Sequence, residues 1–417
     1  MHSSLSAVDI CTQNTIATEV APSRPIKKIL LLDAYSTRTL ACVRSWGRRD
    51  IEFVVGGETR WDMSLFSRYA KQKCLYTSPK KDVSKFIEDV NHHCRQFAAD
   101  HVFPTSEAAI MACSEFENEL ESVPIIPSRS NISTVFSKIN TLRAAQSLGI
   151  PIPETTYISE ENIQSLRWVA NKFPVVVKSE SSEIMLPEKA VTSGKTFYAF
   201  NEDELERECK SRVAKGQSLL LQEFIDGYGV GISGLFLKGE PVALIGHRRI
   251  RESNPMGGPS AVAESIEIAP DLLRSTIALL DLIGFTGPAM IEYKVDRRTG
   301  QAYLMEINGR FWGSILLALA AGLDLPYLYW KMLNGMQISD EEKQYEVGVI
   351  GRNTIGDTKC LLLCLKGKQM GWPGTLANRR TAAKSYCRSF LDKRTTELIL
   401  AKDDPMPFFA KLMQAYS

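Results

Sequence analysis

Between residues 289 and 314 the chain reads Ala-Met-Ile-Glu-Tyr-Lys-Val-Asp-Arg-Arg-Thr-Gly-Gln-Ala-Tyr-Leu-Met-Glu-Ile-Asn-Gly-Arg-Phe-Trp-Gly-Ser. Three oxygen-bearing side chains in it, Glu292, Glu306 and Asn308, have the chemistry of a metal site. Residues 289–295 and 301–307 are apolar and β-rich, and Asp296-Arg-Arg-Thr-Gly300 between them supplies turn chemistry, so the pattern predicts a β-hairpin. Side chains alternate faces along a strand. Glu306 and Asn308 therefore point the same way, and an antiparallel partner can bring Glu292 to them. Hard oxygen ligands of this kind suit magnesium, with manganese as the alternative, and magnesium usually shares its remaining positions with water and substrate phosphates. Arg310 follows on the same face and places a permanent cation beside those phosphates.

This Glu-Ile-Asn-x-Arg-Phe-Trp-Gly-Ser run, preceded by an acidic residue on the partner strand, resembles the metal-binding end of the ATP-grasp fold. The likeness is to the carbamoyl-phosphate-synthase-like, carboxylate–amine ligase branch. The resemblance implies ATP and magnesium as cofactors and two lysines upstream. Ser137-Lys-Ile-Asn-Thr-Leu-Arg-Ala-Ala-Gln-Ser-Leu-Gly-Ile-Pro-Ile-Pro153 resembles the family's opening helix, with Lys138 at its start and Gly149 at its stop before Pro151. Phe173-Pro-Val-Val-Val-Lys178 is a β-branched strand whose terminal lysine resembles the one that meets the α and β phosphates. Leu219-Leu-Leu-Gln-Glu-Phe-Ile-Asp-Gly227 resembles the linker between the two lobes that grip ATP, which carries the adenine contacts to Gln222, Glu223, Phe224 and Ile225.

Two departures from the family accompany these matches. Where relatives have a ribose-binding Glu the chain has Tyr228-Gly-Val-Gly-Ile232, leaving Asp226 as the substitute. The glycine-rich phosphate lid is replaced by a Ser-rich stretch over residues 179–196, expected to be a mobile loop, with Lys195 as its phosphate-facing candidate. A further segment, Gly246-His-Arg-Arg-Ile-Arg-Glu-Ser-Asn-Pro-Met-Gly-Gly-Pro-Ser-Ala261, is read as a loop between a strand and a downstream helix. Its arginines offer forked donors suited to carboxylate and phosphate, and the Gly257–Gly258 pair permits close backbone approach. By resemblance it is the acceptor-substrate and phosphate loop, with Arg248 or Arg249 joining Arg310 as catalytic groups and Gly257 and Gly258 touching the nucleotide. His247 is read as a structural histidine.

At 417 residues and 44% apolar content the chain can bury more than one core. A net charge of +2, from 50 basic and 48 acidic side chains, leaves no basic footprint for nucleic acid. Nine cysteines without Cys-x-x-Cys spacing argue against zinc and for a reducing cytoplasm. Residues 1–24 are polar and read as a disordered leader, not a signal peptide. The apolar stretch 311–329 carries Asp324 and Pro326 and reads as a buried helix, not a membrane span.

The expected fold class is α/β. A doubly wound N-terminal domain spans residues 25–130, since Lys27-Lys-Ile-Leu-Leu-Leu-Asp33, a helix over Thr37–Gly47 and Ile51-Glu-Phe-Val-Val-Gly-Gly57 alternate in the required way. No Gly-x-Gly-x-x-Gly follows the first strand, which argues against an oxidoreductase. The α+β ATP-grasp lobes take residues 131–225 for the nucleotide and 226–336 for metal and substrate, and a helical extension covers 337–417. The resemblance implies an ATP-dependent ligase that joins small-molecule carboxylate and amine substrates through an acyl phosphate, with a homodimer as the candidate assembly. A thiol, carbamate or enol-oxygen acceptor, and a non-catalytic ATP-binding regulator, stay open as alternatives.

Overall fold

The structure is a computed structural model that describes residues 25–165, 173–367, 372–374 and 378–416, so the leader expected over 1–24 lies outside it. Its first layer is a parallel sheet of β1 (Ile29–Leu31), β2 (Phe53–Gly57), β3 (Gln72–Leu75), β4 (His101–Phe103) and β5 (Val123–Pro124), in the order β3-β2-β1-β4-β5. Strands β1, β2 and β4 are buried throughout, as parallel strands covered on both faces must be. Helices α1 (Thr37–Gly47), α2 (Val83–Phe97) and α3 (Glu107–Glu115) provide the cover, each opened by a side-chain cap from Ser36, Asp82 and Ser106 respectively. Asp33, just past β1, is fully buried in a left-handed conformation, and its Oδ2 accepts from the amides of Thr105 and Ser106 at 2.7 Å each. This carboxylate binds the carboxyl end of β1 to that of β4 and so fixes where α1 and α3 begin.

After the short α4 (Arg129–Val135), α5 (Lys138–Ser147) starts at Ser137, whose hydroxyl accepts from the Asn140 amide, and stops before Gly149 at φ 68°. A four-stranded antiparallel sheet follows, with order β10-β7-β11-β6, built from β6 (Thr155–Ile158), β7 (Val175–Ser179), β10 (Phe197–Ala199) and β11 (Leu219–Glu223). Helix α6 (Glu202–Val213) covers the face carrying Val175, Val177, Leu219 and Leu221, while Leu220 on the other face packs on α5 through Ile139 and Leu142. The stretch expected to be a mobile lid is instead a hairpin of β8 (Glu183–Met185) and β9 (Ala190–Thr192) docked on the first domain. There the Ala190 amide donates to the Pro79 carbonyl at 2.8 Å and the Val83 amide to that of Glu188 at 2.9 Å.

The largest layer is a seven-stranded sheet in the order β16-β15-β12-β13-β14-β17-β18. It comprises β12 (Gly227–Leu237), β13 (Glu240–Glu252), β14 (Ser260–Ile266), β15 (Gly287–Asp296), β16 (Ala302–Asn308), β17 (Ile350–Arg352) and β18 (Thr395–Glu397). The arginines of the segment expected as a loop therefore lie in the end of β13, residues 253–259 form the turn after it, and β14, not a helix, follows. Helix α7 (Pro270–Ile283) packs on one face through Leu279 and Leu280. On the other lie α8 (Ile315–Ala320) and α9 (Leu325–Leu333), two helices where one was expected, because Gly322 at φ 91° breaks the run and Asp324 caps the second. Among the described residues no helix is long and apolar enough to cross a membrane.

The tail contributes α10 (Thr354–Lys366), α11 (Arg379–Leu391) and α12 (Met406–Tyr416), and it also lends β17 and β18 to the large sheet. It is fastened to the first domain by a buried pair: Arg44 Nε lies 2.9 Å from Asp404 Oδ2, with side chains 3% and 1% exposed. The same carboxylate accepts from Ser67 Oγ and the Arg68 amide, and Arg44 also donates to the Ile399 carbonyl. Asp404→Ala would leave Arg44 buried without a counter-charge. We expect it to lower the unfolding free energy by about 3–5 kcal/mol in urea titrations, and a loss under about 1 kcal/mol would mean that this pair does not hold the tail.

Candidate active site

The β15–β16 register sets Glu292 directly opposite Glu306 and Met290 opposite Asn308. One extra residue, Met305, bulges out of β16, since the next pair is Tyr293 with Leu304. Glu292, Glu306 and Asn308 consequently share one face, and the Asn308 Nδ2 donates to Glu292 Oε1 and Glu306 Oε1 at 3.3 Å each. Two carboxylates this close repel unless cations intervene. Arg249 Nη2 lies 2.6 Å from Glu292 Oε2 and Lys138 Nζ lies 3.7 Å from Glu306 Oε2. Burial pushes the Glu292 carboxyl up, with Glu306 adding to the rise and Arg249 opposing it. Burial would push Glu306 up as well, but Lys138 and Lys178 together pull it below its ordinary value.

Local sequence explains how each cation arrives. Strand β12 lies between β13 and β15, and its Gly229 and Gly231 leave a trough on the site face. A Cβ at Gly229 would meet the Arg249 side chain at 2.9 Å, and one at Gly231 would meet the His247 ring at 2.2 Å. Arg249 thus crosses β12 to reach Glu292. The two lysines meet because the residue after β7 clasps the start of α5: the Lys138 amide donates to the Glu180 carbonyl at 2.9 Å and Ser137 Oγ to Glu180 Oε1 at 2.7 Å. Lys178 points from β7 into the same space, where burial holds its pKa down to about 8 despite the pull of Glu306. Lys294, two residues beyond Glu292 on β15, is a further cation there. Burial lowers its pKa, Glu252 and Asp226 oppose the shift, and its Nζ sits 5.2 Å from the Phe224 ring centroid.

The linker residues divide by role. Gln222 is on the Lys178 face of β11 but is 1% exposed, and its amide donates to Thr155 Oγ1 at 3.1 Å, tying β11 to β6. Glu223 accepts from the Glu154 amide at 3.0 Å, Ile225 is buried, and Asp226 is exposed. The Phe224 ring forms an edge-to-face cluster with Tyr198 and Trp372, at centroid distances of 6.0 and 5.7 Å.

Four positions are not brought to the metal cluster. Arg248 faces away from Arg249, as neighbours on a strand must, and pairs with Glu264 at 2.6 Å on the opposite face, so it is corrected out of the site. Gly257 and Gly258 lie in the β13–β14 turn, beside Tyr198 and Asn254 respectively, and the Gly258 amide donates to Glu252 Oε2 at 2.8 Å. Lys195 is exposed, with its carbonyl held by Arg212 Nη2 of α6 at 2.6 Å. His247 is buried on the site face with Nδ1 3.4 Å from Ser233 Oγ, and burial beside Arg249 pushes its pKa down to about 3, so it stays neutral. Three groups that the sequence reading did not assign also face the site: Lys294, Glu107 of α3, which lies 3.8 Å from Arg310, and Arg38 of α1. Lys294 had a signal in its parity with Glu292, and Glu107 ends the run Val102-Phe-Pro-Thr-Ser-Glu107, which resembles the edge where the family's first domain faces the active site; Arg38 had none.

The donor set fits a magnesium ion that shares its shell with phosphate oxygens: two carboxylates and an amide in mutual contact, ringed by more cations than a bare ion would need. Lys138, Lys178, Arg249, Lys294 and Arg310 suit the negative charge of a triphosphate.

A family described as "ATP-grasp in the biosynthetic pathway with Ter operon" matches residues 215–352. D-alanine–D-alanine ligase of Carboxydothermus hydrogenoformans is 26% identical over 193 residues, 42% of this chain and 59% of that enzyme, so the chain spans about three fifths of that relative. The solved L-amino acid ligase from Bacillus licheniformis superposes with a TM-score of 0.56 at 16% identity, covering 77% of each chain. N5-carboxyaminoimidazole synthetase from Staphylococcus aureus gives 0.61 at 11% identity, over 86% of this chain and 93% of the other. At such identities the structural likenesses bear on the fold.

Lys178 offers a test of this electrostatic picture. Its folded pKa of about 8 lies below the ordinary 10.5, so between those values the unfolded chain binds more protons and stability rises with pH. Below that window folding must bury an ammonium ion. The unfolding free energy of the native chain relative to Lys178→Met should therefore climb from pH 8 to pH 10.5 in urea titrations. A pH-independent difference would show that Lys178 is not held in this desolvated site.

Proposed function

We propose, from the chain's membership of the ATP-grasp superfamily, that it is an ATP-dependent ligase joining a carboxylate to an amine, with release of ADP and phosphate. The observation that carries this reading is the contact of Glu292, Glu306 and Asn308 within reach of Lys138 and Arg249. Two proteins it resembles, named as a D-alanine–D-alanine ligase and an L-amino acid ligase, agree with a carboxylate–amine pair.

Magnesium, held by Glu292, Glu306 and Asn308, would supply charge neutralisation at the phosphates. Lys138 and Lys178 neutralise the phosphate oxygens while a substrate carboxylate oxygen attacks the γ-phosphorus and the bond to ADP breaks. Arg249 holds the Glu292 carboxylate in place. Arg310 has a buried Nε without a partner among the described residues, so it has donors left to hold the acyl phosphate and the oxyanion formed when the amine nitrogen attacks the carbonyl. The C–N bond forms, the C–O bond to phosphate breaks, and phosphate leaves with the electron pair and takes up the proton that the amine nitrogen loses. No side-chain nucleophile is required.

Purified chain incubated with ATP, magnesium and a pool of amino acids and small carboxylic acids should release phosphate only with a particular pair. Mass spectrometry should find a product lighter than that pair by one water. Glu306→Gln and Asn308→Ala should each cut turnover by about 10²- to 10³-fold with little change in melting temperature. Full activity in both variants would overturn the assignment of the metal site.

A further inference from the structure

The first domain brings two charged groups to the cleft that the mechanism above does not use. Arg38 stands at the start of α1, where its Nε donates to Ser36 Oγ at 2.8 Å. Among the described residues it has no carboxylate within ion-pair distance, so its terminal nitrogens are uncommitted. Glu107 opens α3, and its side chain is 10% exposed. Its carboxylate accepts no hydrogen bond among the described residues, and its one ion pair is the loose 3.8 Å contact with Arg310 Nη2. Thr37 Oγ1 donates to the Gly313 carbonyl at 2.9 Å, and the Phe103 and Phe311 rings meet edge to face at 5.9 Å. These contacts lock the segment carrying Arg38 to the segment carrying Arg310.

Two guanidinium groups held in one poorly solvated cleft repel each other. Burial, with the Arg310 charge second, brings the Arg38 pKa down to about 10. An anion between them would relieve both, and a planar carboxylate matches the fork of donors that guanidinium presents. Glu107 has the opposite need. Burial pushes its carboxyl up, against the pull of Arg310 and Lys138, and a donor with several N–H groups would satisfy its free lone pairs. A cation and an anion on the same ligand meet both demands at once.

We propose that this cross-domain cleft is an acceptor site for an α-amino-acid zwitterion, with the ligand's carboxylate on Arg38 and Arg310 and its ammonium on Glu107. The site rests on the ligase reading only for the word acceptor; the binding chemistry stands on the first domain's own residues. Since Glu107 also lies within the electrostatic reach of Lys138 and Glu306, the amine is placed on the side of the cleft where phosphate chemistry would occur.

The test is binding, measured by calorimetry on the full chain with magnesium and β,γ-methylene-ATP, for each of the common α-amino acids in turn. At least one should bind, and its N-acetyl and carboxamide derivatives should each bind about tenfold or more weakly, because each removes one charge. Arg38→Met and Glu107→Gln should weaken the same amino acid by about tenfold or more, the loss of one charge-assisted contact, while the nucleotide analogue binds both variants as it binds the native chain. Unliganded melting temperatures identify a variant that has merely unfolded, and then the two derivatives on the native chain decide. The site is overturned if no amino acid binds, if the derivatives bind equally well, or if both variants retain full affinity. A native chain that binds a zwitterion this way, yet never consumes ATP with any carboxylate, keeps the site and sinks the ligase reading. A working ligase whose acceptor carries no carboxylate sinks the site alone.

Discussion

Everything in this molecule's centre depends on tolerating two glutamates face to face. An antiparallel pair brings directly opposed side chains within about 5 Å, and like charges there destabilise a hairpin. At the intermediate dielectric of such a site, a unit charge pair at about 4 Å is worth about 4 kcal/mol, too much to leave uncompensated. The hairpin and the residues just after it supply only part of the compensation: Lys294 is drawn toward Phe224 and Glu252, and Arg310, which helps Glu292, also leans toward Glu107. Cations come instead from α5, β7 and β13, as Lys138, Lys178 and Arg249. The requirement that Glu292 and Glu306 be neutralised thus constrains where the four-stranded sheet and the start of α5 can sit relative to the large sheet.

The same arrangement readies the site for a polyanion. The lysines near the glutamates are underused: Lys138 is 3.7 Å from Glu306, outside good hydrogen-bond range, and burial holds the Lys178 pKa down to about 8. Arg249 is the exception, short and firm on Glu292 at 2.6 Å, and its path is set by two glycines on the strand between. One arginine is therefore committed to the protein, and the lysines stay available to phosphate oxygens. A lysine whose ammonium form burial disfavours gains most when a phosphate stands beside it, so the desolvation cost becomes selectivity for an anion.

The parts that were legible in the sequence are those with a local period. The hairpin was readable because alternation fixes faces: Glu306 and Asn308 share one, while the bulge at Met305 breaks the alternation just before them and sends Leu304 to the opposite face with Tyr293. Helix α1 was readable from the alternation of strand and helix patterns, and the start of α5 from the run around Lys138. Arg248 and Arg249 show the limit: one residue's difference in parity puts one on Glu264 and the other on Glu292, and a segment taken for a loop offers no parity to use. The lid departed from expectation for a related reason. Its glycine-poor sequence cannot wrap phosphate with bare backbone, but it can pair with itself as β8 and β9 and rest on the first domain. Arg38 had no local signal, and for Glu107 the run 102–107 pointed to the cleft without naming its partner, because what makes both notable is an approach between segments some two hundred residues apart or more.

The tail brings the remaining constraint, since it touches every other layer. Strands β17 and β18 extend the large sheet, Asp404 anchors to Arg44 of α1, and Trp372 sets its ring against Tyr198 of β10 at 5.1 Å and against Phe224 of the linker. An opening of the lobe that carries the four-stranded sheet would move Tyr198 relative to the large sheet. Trp372 does not belong to that lobe: the segments on either side of it are the helices α10 and α11, which pack on each other and, through Arg251 with Asp357 at 2.6 Å, on β13. Opening would therefore separate Trp372 from Tyr198 and forfeit an aromatic contact worth about 0.5–1.5 kcal/mol. That is a few-fold bias against such an opening, which couples the tail to the lobe although the tail supplies none of Glu292, Glu306 and Asn308.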